Sequence, residues 1–313
     1  MAPIRSLLYL LPLSLAATLP AEDVVAPGAA IGVNRGAANA VGAKDSSPTQ
    51  STHSWELPPI TVYGHPGTGL REEDRVGSYE QPRWTARRRF TEVRSYVIPE
   101  GQIEFEYWLI AKDFGKDKDD NGQTDNLVTQ VFEVEMGLPY RFQFDLYQVW
   151  AKSESTGTTA LDETKFEIRW AFADWGVIWA NPTLYLEWAQ ASGGYDAIEG
   201  KLLFSDELAP HWHWAANLVY ERKVGGDEAT AYEFNPALSY TLIDERLSVG
   251  VEGKFAYEDV KGARRHYEKE ILFGPNLQFR PAPQMHINAS WLPEWTKGNA
   301  LTSKTTLIVG WEF

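Results

Sequence analysis

The sequence predicts an all-β fold, a transmembrane antiparallel up-and-down β-barrel of about 12 strands that follows a disordered N-terminal segment. From Ile103 onward, segments of roughly ten residues alternate apolar and polar side chains, as strands with one lipid-facing side require. Turn residues separate these segments. The last segment stops on an aromatic residue, and its outward face consists of Thr305, Leu307, Val309, Trp311 and Phe313.

Twelve strands are predicted from this alternation. They span residues 101–111, 126–136, 140–151, 163–173, 182–191, 195–205, 211–222, 230–241, 246–257, 267–279, 284–292 and 302–313. An even number is typical of single-chain bacterial barrels. A soluble sandwich or lipocalin-like barrel, with its apolar face inward, is the alternative, but soluble barrels of this kind usually have about eight strands.

The chain before the barrel has two predicted parts. Arg5 and the apolar run after it, followed by small residues, are typical of a secretion signal, which we place at residues 1–21. Residues 22–98 are predicted to be a flexible periplasmic segment that can also form a partial plug, and the barrel is placed at residues 99–313. Within the segment, Glu56–Gly64 is somewhat like the TonB box of energised receptors, and a periplasmic partner would recognise it there. A strand that packs without a partner is the preferred interpretation of so short a match.

Link lengths predict the orientation, because outer-membrane barrels have short periplasmic turns and longer outer loops. With Phe313 in the periplasm, the periplasmic links are residues 137–139, 174–181, 206–210, 243–245 and 280–283. The outer links are residues 112–125, 152–162, 192–194, 223–229, 258–266 and 293–301. The outer set is longer and more charged, as this topology requires, with only the link at residues 192–194 short.

Tryptophan positions predict the two bilayer interfaces, where amphipathic rings collect. The predicted outer belt consists of Trp108, Trp150, Trp188, Trp291 and Trp295. The predicted periplasmic belt consists of Trp175, Trp179, Trp212, Trp214 and Trp311.

The inward face of the strands is predicted to be acidic, in a chain of net charge −14. The predicted lumen-lining residues are Glu104, Glu106, Glu133, Glu135, Arg141, Asp145, Glu167, Arg169, Glu252 and Lys254. Two interpretations stay open: these groups form ion pairs that fill a closed barrel, or they line a narrow channel that selects by radius and by the field of its carboxylates.

Residues 83–94 form the most basic stretch of the chain. Three interpretations apply to it. It enters the acidic lumen as a plug, it contacts anionic lipid or lipopolysaccharide, or it is a solvated periplasmic arm, which is the default for a run of charge.

The first outer loop contains a partial calcium motif in which alternate oxygens surround a glycine turn. The candidate ligands are Asp117, Asp119, Asn121 and Asp125. Val128 stands where a calcium loop carries its bidentate glutamate, so only a weak site is predicted. No other cofactor is predicted.

Catalytic chemistry is not predicted. The chain has no cysteine and no Gly-x-Ser-x-Gly motif. His286, Asn288 and Ser290 alternate on one inward face, but their order differs from that of barrel phospholipases, so an inert lining is the preferred interpretation. His211 and His213 would in principle share a metal ion, whereas an interfacial aromatic belt explains them more simply.

The signal segment, alternating strands, tryptophan belts and terminal Phe313 resemble those of Gram-negative outer-membrane β-barrels of the porin-like or small-transporter class. The resemblance implies an integral outer-membrane protein that contacts lipid and lipopolysaccharide and is inserted by the barrel-assembly machinery. The expected function is passage of small solutes through a narrow channel. A closed barrel that binds partners through its outer loops is the alternative, and a barrel hydrolase is third. Nucleic acid is not an expected partner because phosphate binding needs clustered basic residues.

Overall fold

The computed structural model describes residues 70–115, 126–153, 157–225, 229–259, 267–296 and 301–313. Twelve antiparallel strands, β3 to β14, form a closed barrel in which each strand pairs with the next and β14 pairs with β3. The bounds are β3 Ile103–Asp113, β4 Leu127–Leu138, β5 Phe142–Ser153, β6 Thr159–Ala171, β7 Thr183–Ala191, β8 Ala197–Ala209, β9 Trp212–Lys223, β10 Thr230–Ile243, β11 Leu247–Asp259, β12 Tyr267–Ala282, β13 Met285–Pro293 and β14 Ser303–Glu312. The predicted fold class is confirmed, and closure leaves the barrel without a free sheet edge.

The barrel carries its apolar side chains on the outside. Phe132, Leu186, Leu218, Phe234 and Trp291 are among the exposed large residues, while the alternate positions of the same strands are mostly buried. A soluble barrel would show the opposite arrangement, because its apolar face packs inward. The exposed apolar surface therefore faces lipid. Neither of the two short 3-10 helices in the described ranges is long and apolar enough to span a membrane.

The end of the barrel that carries Phe313 has the shorter turns, as at residues 139–141, 210–211 and 283–284. It is called the periplasmic end below. One longer link, residues 172–182, also lies there.

Two tryptophan predictions are wrong. Trp108 alternates along β3 with the same period as Glu104 and Glu106, so it faces the inside of the barrel. There its Nε1 donates a 2.8 Å hydrogen bond to Glu106 Oε2. Trp175 is 7% exposed and packs inward against Trp84 and Tyr96. Neither residue therefore belongs to an interfacial belt.

Residues 70–102, called the plug here, fill the periplasmic half of the barrel. The plug contains a two-strand hairpin, β1 (Arg75–Val76) and β2 (Gln81–Pro82), followed by a 3-10 turn at Arg83–Thr85. Its apolar side chains pack with residues of the wall in one buried cluster: Tyr79, Trp84, Phe90, Val93, Tyr96, Val97, Ala171, Trp175, Ala215 and Ala237. The default interpretation of residues 83–94 as a solvated arm is wrong, because apolar residues between the arginines anchor this stretch in the lumen.

The plug ends against Gly137 of β4. The backbone N–H of Gly101 donates to the Gly137 carbonyl oxygen at 2.9 Å, and the Gly137 N–H donates to the Gln102 carbonyl oxygen at 2.9 Å. A Cβ atom at Gly137 would overlap the carbonyl oxygen of Pro99. Glycine is therefore needed at position 137 of β4, which lies against the point where the chain leaves the plug.

Candidate functional site: the lumen and its plug

Eight strands contribute one carboxylate each to a continuous row on the inner wall. Consecutive members are direct cross-strand partners from β14 through β3 to β9. The carboxylate row consists of Glu312, Glu104, Glu135, Asp145, Glu167, Glu187, Glu199 and Glu221. Like charges directly opposite one another destabilise a sheet, so this row requires counter-cations.

The carboxylate row runs from one end of the lumen to the other. Glu312 is the last residue of β14, at the periplasmic end, and Glu221 lies two residues before the outer end of β9 at Lys223. Barrel strands tilt against the barrel axis, so a line of register partners climbs as it passes around the wall. The row therefore connects the periplasmic end with the outer end.

Arginines of the plug neutralise the lower part of the row and the carboxylates beside it. Arg88 Nε lies 2.7 Å from Glu106 Oε2, and Arg88 Nη2 lies 3.0 Å from Glu133 Oε2. Arg94 donates to Glu133 and, at 2.8 Å, to Glu135 Oε1. All five side chains are at most 8% exposed. Arginine suits this role because its planar fork donates to two carboxylates at once.

Two further arginines close the rim of the plug. Arg87 Nε lies 2.9 Å from Glu312 Oε1, so it neutralises the first member of the row. Its Nη1 lies 3.2 Å from Glu245 Oε2, in the turn between β10 and β11. Arg89 contacts Glu72 within the plug and donates to Ser239 Oγ at 2.7 Å. The plug is thus bound to opposite parts of the wall.

The upper part of the row is neutralised by the wall itself. Arg169 Nη2 lies 2.8 Å from Asp145 Oδ2, and Arg169 also contacts Glu167. Lys165 Nζ lies 3.0 Å from Glu187 Oε1. Beside the row, Lys254 Nζ lies 2.8 Å from Glu233. Within the described ranges, no such ion pair is found for Glu221.

Glu252 holds the tip of the plug. Its carboxylate accepts hydrogen bonds from the backbone N–H groups of Thr91 and Glu92 at 3.0 and 2.8 Å, and from Thr91 Oγ1 at 2.7 Å. Glu92 is in turn 2.7 Å from Lys304 Nζ on β14. The deepest point of the plug is therefore fixed by two strands.

One predicted lumen residue lies elsewhere, and the predicted calcium ligands are not among the described residues. Arg141 occupies the turn before β5 with φ 66°, and its Nη1 contacts Asp174 Oδ1 at 2.9 Å at the periplasmic rim, so it does not line the lumen. A proline at the start of this turn displaces it from the strand. The calcium candidates Asp117, Asp119, Asn121 and Asp125 lie outside the described residues.

Above the plug lies a vestibule, a cavity of about 320 Å³. Its apolar side is formed by Trp108, Ile110, Val131, Tyr147 and Val149 of β3, β4 and β5. Its opposite side carries interleaved glutamates and lysines of β6 to β11. Such a volume accommodates a small organic molecule, and the wall offers one apolar and one charged face to it.

The inner face of β13 lies where the barrel wall contacts the plug, and it carries His286, Asn288 and Ser290. His286 Nδ1 and Nε2 lie 3.0 and 3.1 Å from Glu104 and Glu106. Asn288 Nδ2 donates to the Arg88 carbonyl oxygen at 3.0 Å, and Ser290 Oγ shares a 2.6 Å hydrogen bond with Thr91 Oγ1. Asn288 and Ser290 therefore contact the plug directly, whereas His286 contacts Glu106, the wall carboxylate that pairs with Arg88.

His286 reaches its glutamates across Gly310. The cross-strand row here is His286, Gly310 and Glu106, so the missing side chain of the glycine gives the imidazole its path. Changing Gly310→Ala would place Cβ on the His286 ring. We expect the free energy of unfolding to fall by about 1–3 kcal/mol, as for overpacking in a dense interior.

For Gly310→Ala, samples are heated to a series of temperatures before electrophoresis, and the temperature at which the band of the folded barrel disappears is compared with that of the wild type. The double variant Gly310→Ala/His286→Ala is the control. If the ring is the obstacle, the alanine costs less in that background. An equal loss in both backgrounds would contradict this account.

Burial also raises the pKa of two titratable groups outside the strands, Tyr96 and Glu245. It raises the pKa of the Tyr96 phenol, which keeps the proton that Tyr96 Oη donates to the Ala173 carbonyl oxygen at 2.6 Å. Burial raises the pKa of the Glu245 carboxyl as well, and Arg87 and Arg83 oppose that rise.

The closed barrel, its lipid-facing apolar surface and its polar interior define an integral outer-membrane β-barrel protein. The comparisons with known proteins agree with this class. An outer membrane channel from Pseudomonas putida F1 is similar with a TM-score of 0.54 and 11% identity, over 72% of this chain and 100% of that chain. At this identity the likeness is one of fold.

Two porins give weaker matches. The NanC porin has a TM-score of 0.48 and 10% identity, over 66% of this chain and 97% of that chain. The KdgM porin has a TM-score of 0.47 and 9% identity, over 67% of this chain and 99% of that chain. The family model described as "Putative MetA-pathway of phenol degradation" matches residues 183–306. The comparison with curated proteins finds no match.

Proposed function

We propose that the protein is a narrow outer-membrane channel for small solutes that its own plug closes from the periplasmic side. The observation that carries the proposal is the carboxylate row, which follows the wall through the whole lumen. A closed structural barrel has no need of eight like charges in register. A water-filled path lined in this way lowers the energy of a passing cation and raises that of an anion.

The volume of the vestibule, about 320 Å³, favours a small solute. The aromatic and aliphatic side of the vestibule would pack against a flat ring, and its charged side would hydrogen-bond to polar substituents. The description of the family model that matches residues 183–306 mentions phenol degradation, and phenol is a small aromatic compound. We therefore include small aromatic compounds among the candidate solutes.

A closed binding barrel is the second candidate, and one observation favours it. The plug occupies the periplasmic half of the lumen, and the arginines Arg88, Arg94 and Arg169 are each paired with carboxylates. In that case the vestibule would bind a ligand at the cell surface without passing it on.

Ion selectivity tests the channel proposal. The purified full chain is inserted into a planar bilayer, and the reversal potential is measured in a potassium chloride gradient. We expect brief cation-selective openings when the applied voltage displaces the plug. Their selectivity should fall in Glu104→Gln/Glu133→Gln, because these changes remove two lumen carboxylates. Glu80→Gln, which changes an exposed carboxylate, serves as the control.

The result separates the two candidates. Selectivity that is equal in all three proteins would contradict the proposed role of the lumen carboxylates. A barrel that folds and stays silent under all voltages, with and without the plug, would favour the closed binding barrel.

A further inference from the structure

Three segments bring metal-ligating side chains together at the periplasmic rim. Glu73 lies at the start of the plug, His211 in the turn between β8 and β9, and Asp244 in the turn between β10 and β11. One ligand atom of each lies within 4.8 Å of the other two. None of these residues belongs to the carboxylate row.

The spacing of these atoms differs from that of hydrogen bonds. His211 Nδ1 is 3.7 Å from Glu73 Oε1 and 3.6 Å from Asp244 Oδ1, and both distances exceed that of a normal N–H···O bond. Tetrahedral zinc, with bonds of about 2.0–2.2 Å, separates its ligand atoms by about 3.4 Å. The observed separations are within a few tenths of an ångström of that value.

A buried histidine points at the same place. His213 is 0% exposed, and neither of its ring nitrogens has a hydrogen-bond partner. Its Nε2 lies 3.8 Å from Glu73 Oε1. An unpartnered imidazole nitrogen in a buried position is costly unless something accepts its lone pair or its proton. A metal ion bound to Glu73 would satisfy it.

We propose that Glu73, His211 and Asp244 bind a divalent transition-metal ion of the zinc type, with His213 as the neighbouring fourth group. Two carboxylates and neutral imidazole form a donor set that zinc accepts and that balances its charge. The backbone N–H of His211 donates to Glu73 Oε1 at 2.8 Å and orients that carboxylate.

The site is open to ions from the periplasm. The side chains of His211, Asp244 and Glu73 are 37%, 32% and 24% exposed. They border a cavity of about 570 Å³ that Arg71, Leu208 and other rim residues line. An ion can therefore enter without moving the barrel.

The cluster of His286, Glu104 and Glu106 does not share these properties. His286 Nε2 makes a hydrogen bond to Glu106 Oε1 at 3.1 Å, whereas Nδ1, 3.0 Å from Glu104 Oε1, makes none. Both distances are shorter than the spacing of about 3.4 Å between two ligand atoms of one tetrahedral zinc ion. All three side chains are completely buried. The rim cluster is thus the better metal site of the two.

The bound ion would hold the plug in place. Glu73 belongs to the plug, whereas His211 and Asp244 belong to the wall, so one ion would tie the start of the plug to two turns of the barrel. Metal concentration in the periplasm would then set how firmly the plug is seated.

Metal binding to the full chain tests the proposal. The refolded protein is freed of metal by chelator and titrated with zinc chloride in a calorimeter, and with cobalt chloride while its visible absorption is recorded. We expect one ion per chain and the intense visible band of tetrahedral cobalt. Affinity should fall at least about tenfold in His211→Ala and in Asp244→Asn, since even outer-shell changes weaken metal sites by that factor.

Asp174→Asn is the matched control, because it changes a carboxylate of the same rim outside the cluster. The thermal transition of the wild type should rise on adding zinc, and that of His211→Ala should not. Absence of binding, or binding that Asp174→Asn weakens as much as His211→Ala, would overturn the proposal. These measurements do not depend on whether the barrel conducts.

Discussion

Deletion of residues 22–98 is expected to convert the barrel into a conducting pore. The plug fills the periplasmic half of the lumen, and its arginines cover Glu106, Glu133 and Glu135. Without it, water fills that space and the carboxylates face the passing ions without counter-charges. Discrete, strongly cation-selective steps should appear in a planar bilayer, with many times the conductance of the full chain.

The control is a chain that lacks residues 22–69 and keeps the plug. It should behave like the full chain, because the described contacts with the wall begin after residue 69. If this shorter deletion opens the barrel as fully as the longer one, the plug is not the closing element. A silent barrel after deletion of residues 22–98 would also contradict the channel proposal.

Arg94→Ala is expected to weaken the seating of the plug strongly. The side chain is buried and bonds to Glu133, Glu135 and the Tyr147 hydroxyl group. Removing one partner of a buried ion pair leaves an uncompensated charge, which typically costs about 3–5 kcal/mol. We expect a loss of that order in the free energy of unfolding, measured in denaturant, or intermittent openings in the bilayer if the plug leaves while the barrel stays folded.

Two further variants test the cause of this loss. Arg94→Lys should restore only part of the stability, because a single ammonium group does not reproduce the bidentate geometry at both glutamates. Arg75→Ala, which changes an exposed arginine at the start of the plug, should have little effect. If Arg94→Ala leaves both stability and conductance unchanged, the ion pairs do not seat the plug.

The strands were predictable because their period is local. A pattern such as Phe142, Phe144 and Leu146 with Gln143 and Asp145 between them specifies both a strand and its two faces. The same alternation predicts an inward side chain for Trp108, which shares a face of β3 with Glu104 and Glu106. The prediction of an interfacial belt fails for Trp108 because its place in the strand alternation, not its residue type, determines which side of the barrel it faces.

The functional arrangement was less predictable because it depends on contacts between distant segments. The alternation along each strand predicts that every carboxylate points inward. Only the register between strands makes Glu135, Asp145 and Glu167 direct neighbours. The charge of residues 83–94 suits a solvated arm as well as a plug, and Phe90 among the arginines was the available signal. The separation of Glu73 and His211 along the chain likewise hides their contact.

The covalent link between the plug and β3, through Gly101 and Gln102, makes closure an intramolecular event. A flexible tether gives its ends an effective concentration in roughly the millimolar range, so reclosure would not depend on how much protein the membrane holds. The 33 residues from 70 to 102 would reach at most roughly 120 Å when fully extended, so a released plug stays near its own pore. A separate peptide with the plug sequence would therefore need millimolar amounts to compete with the tethered plug.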